Sequence, residues 1–270
     1  FASSVLYALM AVGHFLVTRT TMPRSHKTLP RLYLEAPLAA GALLELGRDH
    51  TNYLLSVLRM KAADALVVFN GQDGAWLAKI ADDHRKGTTL ELVVQTQHQT
   101  PKSDLWFGFA PLKTGRLDYL VQKATEMGAG VIQPVITRYT QVSRLKADKL
   151  HANIIEAAEQ CEVLSVPNLA EEITLADLIA HWQQDHGLRR LVFADESAPS
   201  HAPNTQLLDL EGLPIGILVG PEGGFSDDER ALLLAQPFVI PISLGPRILR
   251  ADTAAVAALA VVQSTIGDWR

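Results

Sequence analysis

Two glycine-rich stretches near the C-terminus hold most of the chemistry that this sequence can offer. The first reads Leu218-Val219-Gly220-Pro221-Glu222-Gly223-Gly224-Phe225-Ser226-Asp227-Asp228-Glu229. An apolar run delivers the chain into glycines that permit positive φ and let a ligand touch the backbone. Ser226 with Glu229 three residues on is a capping-box pattern, so a helix is predicted to start there. Ligands of open α/β sheets bind beyond the carboxyl ends of strands, where this loop would lie. No Gly-Lys-Ser/Thr follows, and the spacing is not that of a dinucleotide fingerprint. A tight strand–helix connection would need only one glycine, so ligand binding is the better reading, and a β-branched residue at Gly220 is expected to obstruct it. The second stretch reads Ile242-Ser243-Leu244-Gly245-Pro246-Arg247-Ile248-Leu249-Arg250-Ala251-Asp252-Thr253. Arg247 and Arg250 precede an apolar helix, and a guanidinium there can clamp an anion or a base edge. A surface ion pair explains the same spacing equally well.

Other constellations are weaker. Lys113-Thr114-Gly115-Arg116 precedes a predicted helix, and Lys123 and Glu126 stand three apart on it, the spacing of a surface pair. The nine histidines form no HExxH pattern, and no GxSxG or CxxC occurs. Cys161 is the only cysteine, which excludes an intrachain disulfide and fits a reducing compartment. It is expected to be a small buried residue. Neither a metal site nor a covalent nucleophile is suggested.

These loops need elements to position them. At 270 residues, 48% apolar and 20% charged, the chain reads as one large or two ordinary globular domains. The net charge of −5 hides an asymmetry: residues 1–150 hold 18 Lys+Arg against 12 Asp+Glu, and residues 151–270 hold 6 against 17. Such a split hints at a polyanion-binding first half. Phe1–Val17 is almost uncharged but short for a membrane span and lacks a basic n-region. Residues 1–21 are therefore read as a non-native or disordered leader, with a membrane anchor as the rival, and Met22 as the natural start.

From Arg31 to about Thr100 the segments are short. A strand is predicted at Arg31–Leu34 and a helix at Asp49–Leu58. A hairpin is predicted from Ala65–Phe69 and Ala75–Ile80 around Asn70-Gly71-Gln72-Asp73-Gly74, and a β-rich run at Thr88–Val94. Together they suggest a small β-barrel. A polar linker is placed at Gln95–Asp104. Beyond it, strands at 105–110, 131–136, 191–194, 216–219 and 238–242 alternate with helices at 117–127, 147–160, 175–184, 226–235 and 252–266, which means a parallel α/β sheet. The last helix is apolar nearly all round and should be buried.

Taken together, RLYL (31–34), HTNYLLSVLRMK (50–61), FNGQDGAW (69–76), PLKTGRLDYLVQKATEMG (111–128), IEAAEQC (155–161), LVGPEGGFSDDE (218–229) and SLGPRILRADTAA (243–255) resemble the bacterial 16S ribosomal RNA uracil-N3 methyltransferases. These are a branch of the trefoil-knotted SPOUT superfamily. One departure is visible: Glu162-Val163 stands where many relatives carry Gly-Arg. The resemblance implies a PUA-like RNA-binding β-barrel over residues 22–100 and a SPOUT methyltransferase domain with a C-terminal knot over 101–270. It implies a cytoplasmic homodimer, with 16S ribosomal RNA of the small subunit as substrate and neither metal nor membrane involved. S-adenosylmethionine would be held by Leu218, Val219, Gly220, Pro221, Glu222, Gly223 and Gly224, and by Leu244, Gly245, Ile248, Leu249 and Thr253. Arg250 would face the target uracil and stabilise charge on its carbonyl oxygens as N3 loses its proton. The proton would pass to Glu126 or to water. Arg31, Arg59, Lys61, Lys113, Arg116 and Lys123 would contact RNA. A SPOUT enzyme acting on a ribose 2′-hydroxyl or a tRNA base, and a non-catalytic RNA-binding module, are the alternatives.

Overall fold

The computed structural model describes residues 29–84, 87–113, 115–141, 145–198 and 203–270. The proposed leader, the stretch opened by Met22 and Thr114 lie outside the described residues.

The first half is built on one five-stranded sheet, ordered β1-β3-β4-β5-β2. Strand β1 (Arg31–Tyr33) runs parallel to β3 (Ala65–Phe69). Strands β3, β4 (Ala75–Asp82) and β5 (Thr89–Gln97) form an antiparallel meander, and β2 (Leu43–Glu45) closes on β5. The turn between β3 and β4 follows from its residues. Asn70 Oδ1 accepts from the Gln72 and Asp73 amides, and the Asp73 carboxylate accepts from Asn70 Nδ2 and the Leu38 amide. Those donors hold the Asp73 pKa below its ordinary value. Leu54, Leu66, Val68, Ile80, Leu90 and Leu92 fill this core.

The second half is a seven-stranded sheet in which every pairing is parallel. Its main order is β12 (Val239–Ile242), β10 (Arg190–Ala194), β11 (Ile215–Val219), β6 (Trp106–Phe109), β7 (Val131–Ile136) and β8 (Asn168–Leu169), with β9 (Ile173–Thr174) also on β7. Strands β6 and β11 are buried along their whole length, as expected of central strands covered on both faces. Helices α2 (Arg116–Glu126), α3 (Ala147–Gln160) and α7 (Ala251–Ile266) bury Leu120, Ile154 and Leu259 in one core. Helix α4 (Leu175–His186) packs Leu178 and Trp182 into the other. The halves meet where Glu159 of α3 accepts from the Tyr33 amide at 2.8 Å, above a cluster of Val67, Phe69, Ala158 and Leu164.

Several expectations change. Strand β5 continues to Gln97, into the expected linker. Polarity did not end it, because Gln95 Nε2 donates to the Asp73 carbonyl and Thr96 Oγ1 to that of Ala75. Helix α1 (Arg48–Asn52) gives way to a π-helical turn at Tyr53–Val57. Cys161 is exposed, not buried: it is the C-cap of α3, past the last turn that the helix buries. Helix α7 buries Ala255, Ala258, Leu259 and Val262, whereas Val256, Ala257 and Ala260 stay half-buried. Short β2, β8, β9 and helix α5 (Pro203–Leu208) were not foreseen. Among the described residues no helix is long and apolar enough to cross a membrane.

His186, at the end of α4, lies tilted against Trp182 at 4.2 Å and meets Trp106 edge-on at 5.5 Å between ring centroids. Burial, and then Arg189, push its pKa below the ordinary 6.5. The folded chain thus resists protonation there while the unfolded chain accepts it. Stability contributed by the neutral ring is present above 6.5 and is lost as pH falls through the depressed folded value. His186→Leu is expected to flatten that loss. Urea unfolding at about pH 7.5 and about pH 5 checks it: an unchanged slope in the variant means that His186 does not drive the loss.

Candidate active site

Because β10, β11 and β12 are parallel neighbours, the loops that follow them leave one edge of the sheet together. They enclose a cleft of about 220 Å³. Its walls come from Phe193–Ser197 at the end of β10 and beyond it, from Val219–Glu222, Gly224 and Phe225 at the end of β11 and beyond it, and from Leu244, Gly245 and Arg247–Leu249 after β12. Ala251 and Ala254 of α7 and Asp227 and Arg230 of α6 (Asp227–Leu234) complete it. The two glycine loops of the sequence are therefore two sides of one cavity.

The local conformations follow from the residues. Gly224 and Gly245 have φ of +69° and +109°, and nothing lies within 4 Å of where a Cβ would be. They serve the backbone and leave open space beside it. Gly220 is different. A Cβ there would lie 2.6 Å from the Phe225 ring. Substituting it would displace Phe225 first, so the expected simple obstruction of a ligand is corrected. The capping box at Ser226 forms as expected, with the Glu229 carboxylate accepting from the Ser226 amide at 2.9 Å.

Of the expected cofactor residues, Val219, Gly220, Pro221, Glu222, Gly224, Leu244, Gly245, Ile248 and Leu249 line the cleft. Leu218 lies beneath it, fully buried in β11. Gly223 faces the other way, against Tyr139. Thr253 is exposed in the first turn of α7 and is not part of the lining. Arg250 is the exposed N-cap of that helix, with no side-chain capping bond, and Arg247 rather than Arg250 lines the cleft.

The expected basic residues scatter. Arg59 and Lys61 are exposed on the first half, and Lys113 is exposed just before α2. Arg116 reaches Glu222 at 3.4 Å, which ties α2 to the glycine loop. Lys123 and Glu126 pair with each other at 2.6 Å, and Glu126 borders a separate hollow near the C-terminus. Arg31 does not stand on an open surface. It lies over the Phe69 ring in the crevice between the halves, near Glu159 and Glu162, and its Nε and Nη2 are buried without a hydrogen bond. Burial lowers its pKa, against the pull of the two carboxylates.

Sequence reasoning missed the loop after β10. Asp195 is buried, and its carboxylate accepts from Arg230 Nη2 at 2.8 Å, from Arg230 Nε at 3.1 Å and from the Ser197 amide at 3.0 Å. Its own amide donates to Ile242 of β12. One residue thus ties three walls of the cleft together. The signal was an acid at the end of an apolar strand, Phe193-Ala194-Asp195. Among the described residues no group of three His, Cys, Asp or Glu is placed to hold a metal ion.

Residues 98–263 match the family model of the RNA methyltransferase domain, and residues 46–93 that of the RNA methyltransferase PUA domain. The chain belongs to the RNA methyltransferase family. It is 36% identical over 235 residues to the ribosomal RNA small subunit methyltransferase E of Rickettsia conorii, covering 86% of this chain and 94% of the relative. The protein of the same name from Synechocystis is 31% identical over 240 residues, covering 87% and 78%. Among solved structures, that enzyme from Neisseria gonorrhoeae bound to S-adenosyl methionine superposes with a TM-score of 0.75 at 25% identity, over 90% of this family member and 100% of its own chain. A structure from Legionella pneumophila with bound cofactor SAM gives 0.74 at 29% identity, over 87% and 97%.

Arg230→Ala would strand the Asp195 carboxylate without its main partner. It is expected to cost roughly 2–3 kcal/mol, since a buried acceptor left unmatched costs more than the bond it loses. Arg250→Ala, at an exposed cap without such a partner, is expected to cost under about 0.5 kcal/mol. Urea unfolding of the two variants compares them, and equal losses would show that the Asp195 bridge does not hold the cleft.

Proposed function

We propose that the chain transfers a methyl group from S-adenosylmethionine to N3 of one uridine in 16S ribosomal RNA of the small ribosomal subunit. The observation that carries this is the single cleft built from both glycine loops, in a chain whose relatives over most of its length are small-subunit ribosomal RNA methyltransferases. The reading places a PUA-like RNA-binding domain at residues 22–100 and the methyltransferase domain at 101–270, with its C-terminal part threaded as a trefoil knot and two copies forming a homodimer. It places the work in the cytoplasm.

The cleft fits the cofactor. Phe193, Val219, Leu244, Ile248 and Leu249 offer apolar walls for an adenine, and the open sides of Gly224 and Gly245 let a ligand lie against the backbone. Glu196, Glu222 and Asp227 favour a sulfonium and an ammonium group. The cofactor supplies a methyl carbon already electrophilic enough to need no metal. The chain's own task is to align uracil N3 with it and to exclude competing geometries. Arg250, exposed and unpaired as a cap, extends from the end of the 244–249 loop and stabilises the uracil oxygens as negative charge develops. Water takes the N3 proton in this reading, because Glu126 is held by Lys123 away from the cleft. Arg59, Lys61 and Lys113 meet phosphates, Arg116 and Lys123 approach RNA from α2, and Arg31 serves the crevice between the halves.

The decisive experiment maps N3-methylated uridines in small-subunit RNA from cells with and without the gene. Loss of one modified site supports the reading, and an unchanged map refutes it. In single-turnover assays Arg250→Ala is expected to slow methylation by about 10²–10³ with cofactor affinity kept, and Arg250→Lys to rescue little. Parental rates in Arg250→Ala would reduce Arg250 to a surface cation. Charge reversal at Arg59 and Lys61 is expected to weaken RNA binding and lower the salt slope by about one per lost phosphate contact. Reversal at Arg189 and Arg190, which hold carbonyls of Asp104, Ile215 and Pro237, should change the slope little. Equal slopes in both sets would contradict this division of labour.

A further inference from the structure

Tyr139 follows β7 on a loop packed against the outer side of the Gly220–Gly224 turn. Its side chain is 45% exposed. The backbone around it is fixed on both sides. The Thr137 amide donates to Thr140 Oγ1 at 2.9 Å, and the Arg138 amide donates to Glu229 Oε1 at 2.7 Å. The ring, by contrast, has its hydroxyl unbonded among the described residues. It lies so close to the glycine turn that a Cβ on Gly223 would sit 3.2 Å from Tyr139 Cβ and 3.5 Å from Cγ. The same turn presents Glu222 and Gly224 to the cleft and Gly223 to a hollow floored by Tyr139 and Arg138. One short turn therefore has the cleft on one side and an exposed aromatic ring on the other.

We propose that Tyr139 is the stacking surface for the target base as it leaves its own stack to reach the cleft. The inference rests on the methyltransferase reading and goes beyond it by naming the residue that receives the base. A base presented for chemistry must be unstacked, and an aromatic side chain replaces the lost stacking without regard to base identity. Arg138 beside the ring and Arg116 behind Glu222 add the positive charge that a nucleotide's phosphate requires. Glu229 is the positioning residue: it caps α6 and holds the Arg138 amide, which ties the backbone beside the ring to the end of the glycine turn.

The test uses the full chain with Tyr139→Ala, Tyr139→Leu and Tyr139→Phe. Binding of a small-subunit ribosomal RNA fragment is measured with cofactor present, cofactor affinity without RNA, and oligomeric state by light scattering. Tyr139→Ala and Tyr139→Leu should weaken RNA binding about tenfold, as expected for one lost stacked base, and Tyr139→Phe by no more than about twofold. Cofactor affinity, oligomeric state and the salt slope should stay parental, since no charge is removed. A Tyr139→Leu chain that binds RNA like the parent overturns the proposal, because leucine covers Gly223 but cannot stack. Loss of cofactor affinity or a changed oligomeric state in Tyr139→Ala overturns it as well. A parent that binds RNA without methylating uridine N3 sinks the enzymatic reading alone, and the alanine-to-phenylalanine binding ratio still decides Tyr139.

Discussion

The Glu229 carboxylate joins pieces of chain that lie far apart in sequence. One oxygen accepts from the amide and hydroxyl of Ser226 and the other from the amide of Arg138, ninety-one residues away. A capping box is ordinarily a local device worth about 1 kcal/mol to its own helix. Here it also anchors the loop after β7 to the start of α6. The glycine turn from 220 to 224 is trapped between, with Phe225 filling the space at Gly220 and Tyr139 that at Gly223. A turn with so much backbone freedom would cost entropy to order at every binding event. Fastening it in the folded state removes much of that cost.

The Asp195 bridge does the same for the opposite wall. An acid at the end of a buried strand would be costly if unmatched. Arg230, from the helix that Glu229 caps, matches it while keeping its outer edge in the cleft. Glu229 caps α6 and Asp195 binds its Arg230, so that helix becomes the common strut of the site. The crevice between the halves is less settled. Arg31 is half-buried over Phe69 with two buried nitrogen donors unmatched, and burial raises the pKa of Glu159 beside it. Such a junction positions one half on the other through a few polar contacts and a small apolar cluster, not through an extensive core.

Much of this was legible in the residues. Alternating apolar runs and amphipathic stretches located the parallel strands and the long helices to within a few residues, and Ser226 with Glu229 foretold the start of α6. What escaped lacked a local signal. Strands of two or three residues such as β8 and β9 exist only because β7 is there to pair with them. The polar end of β5 is held by Asp73 and Ala75 across the hairpin, which periodicity cannot register. Nothing local marks the Asp195 bridge, because Arg230, its partner, is thirty-five residues distant. Arg31 looked like a free cation because nothing in its neighbourhood along the chain announces the crevice. Cys161 was misjudged by residue type, whereas its place at the C-cap of α3 decides its exposure.

The glycines show most clearly how a correct inference can rest on mixed causes. Read in the sequence, three glycines in one loop point to a ligand lying against the backbone. In the fold they answer to different demands. Gly220 is required by the Phe225 ring, Gly223 by Tyr139, and Gly224 by a positive φ that another residue would adopt only under strain. Only Gly224, with Gly245 across the cleft, leaves unfilled space where a side chain would be. The rings demanded by the other two are themselves placed around the cleft, Phe225 lining it and Tyr139 behind its rim. Two glycines therefore bring aromatic rings to the site, and two keep space for what binds there. The motif marks the place because close packing and ligand access both require a missing Cβ.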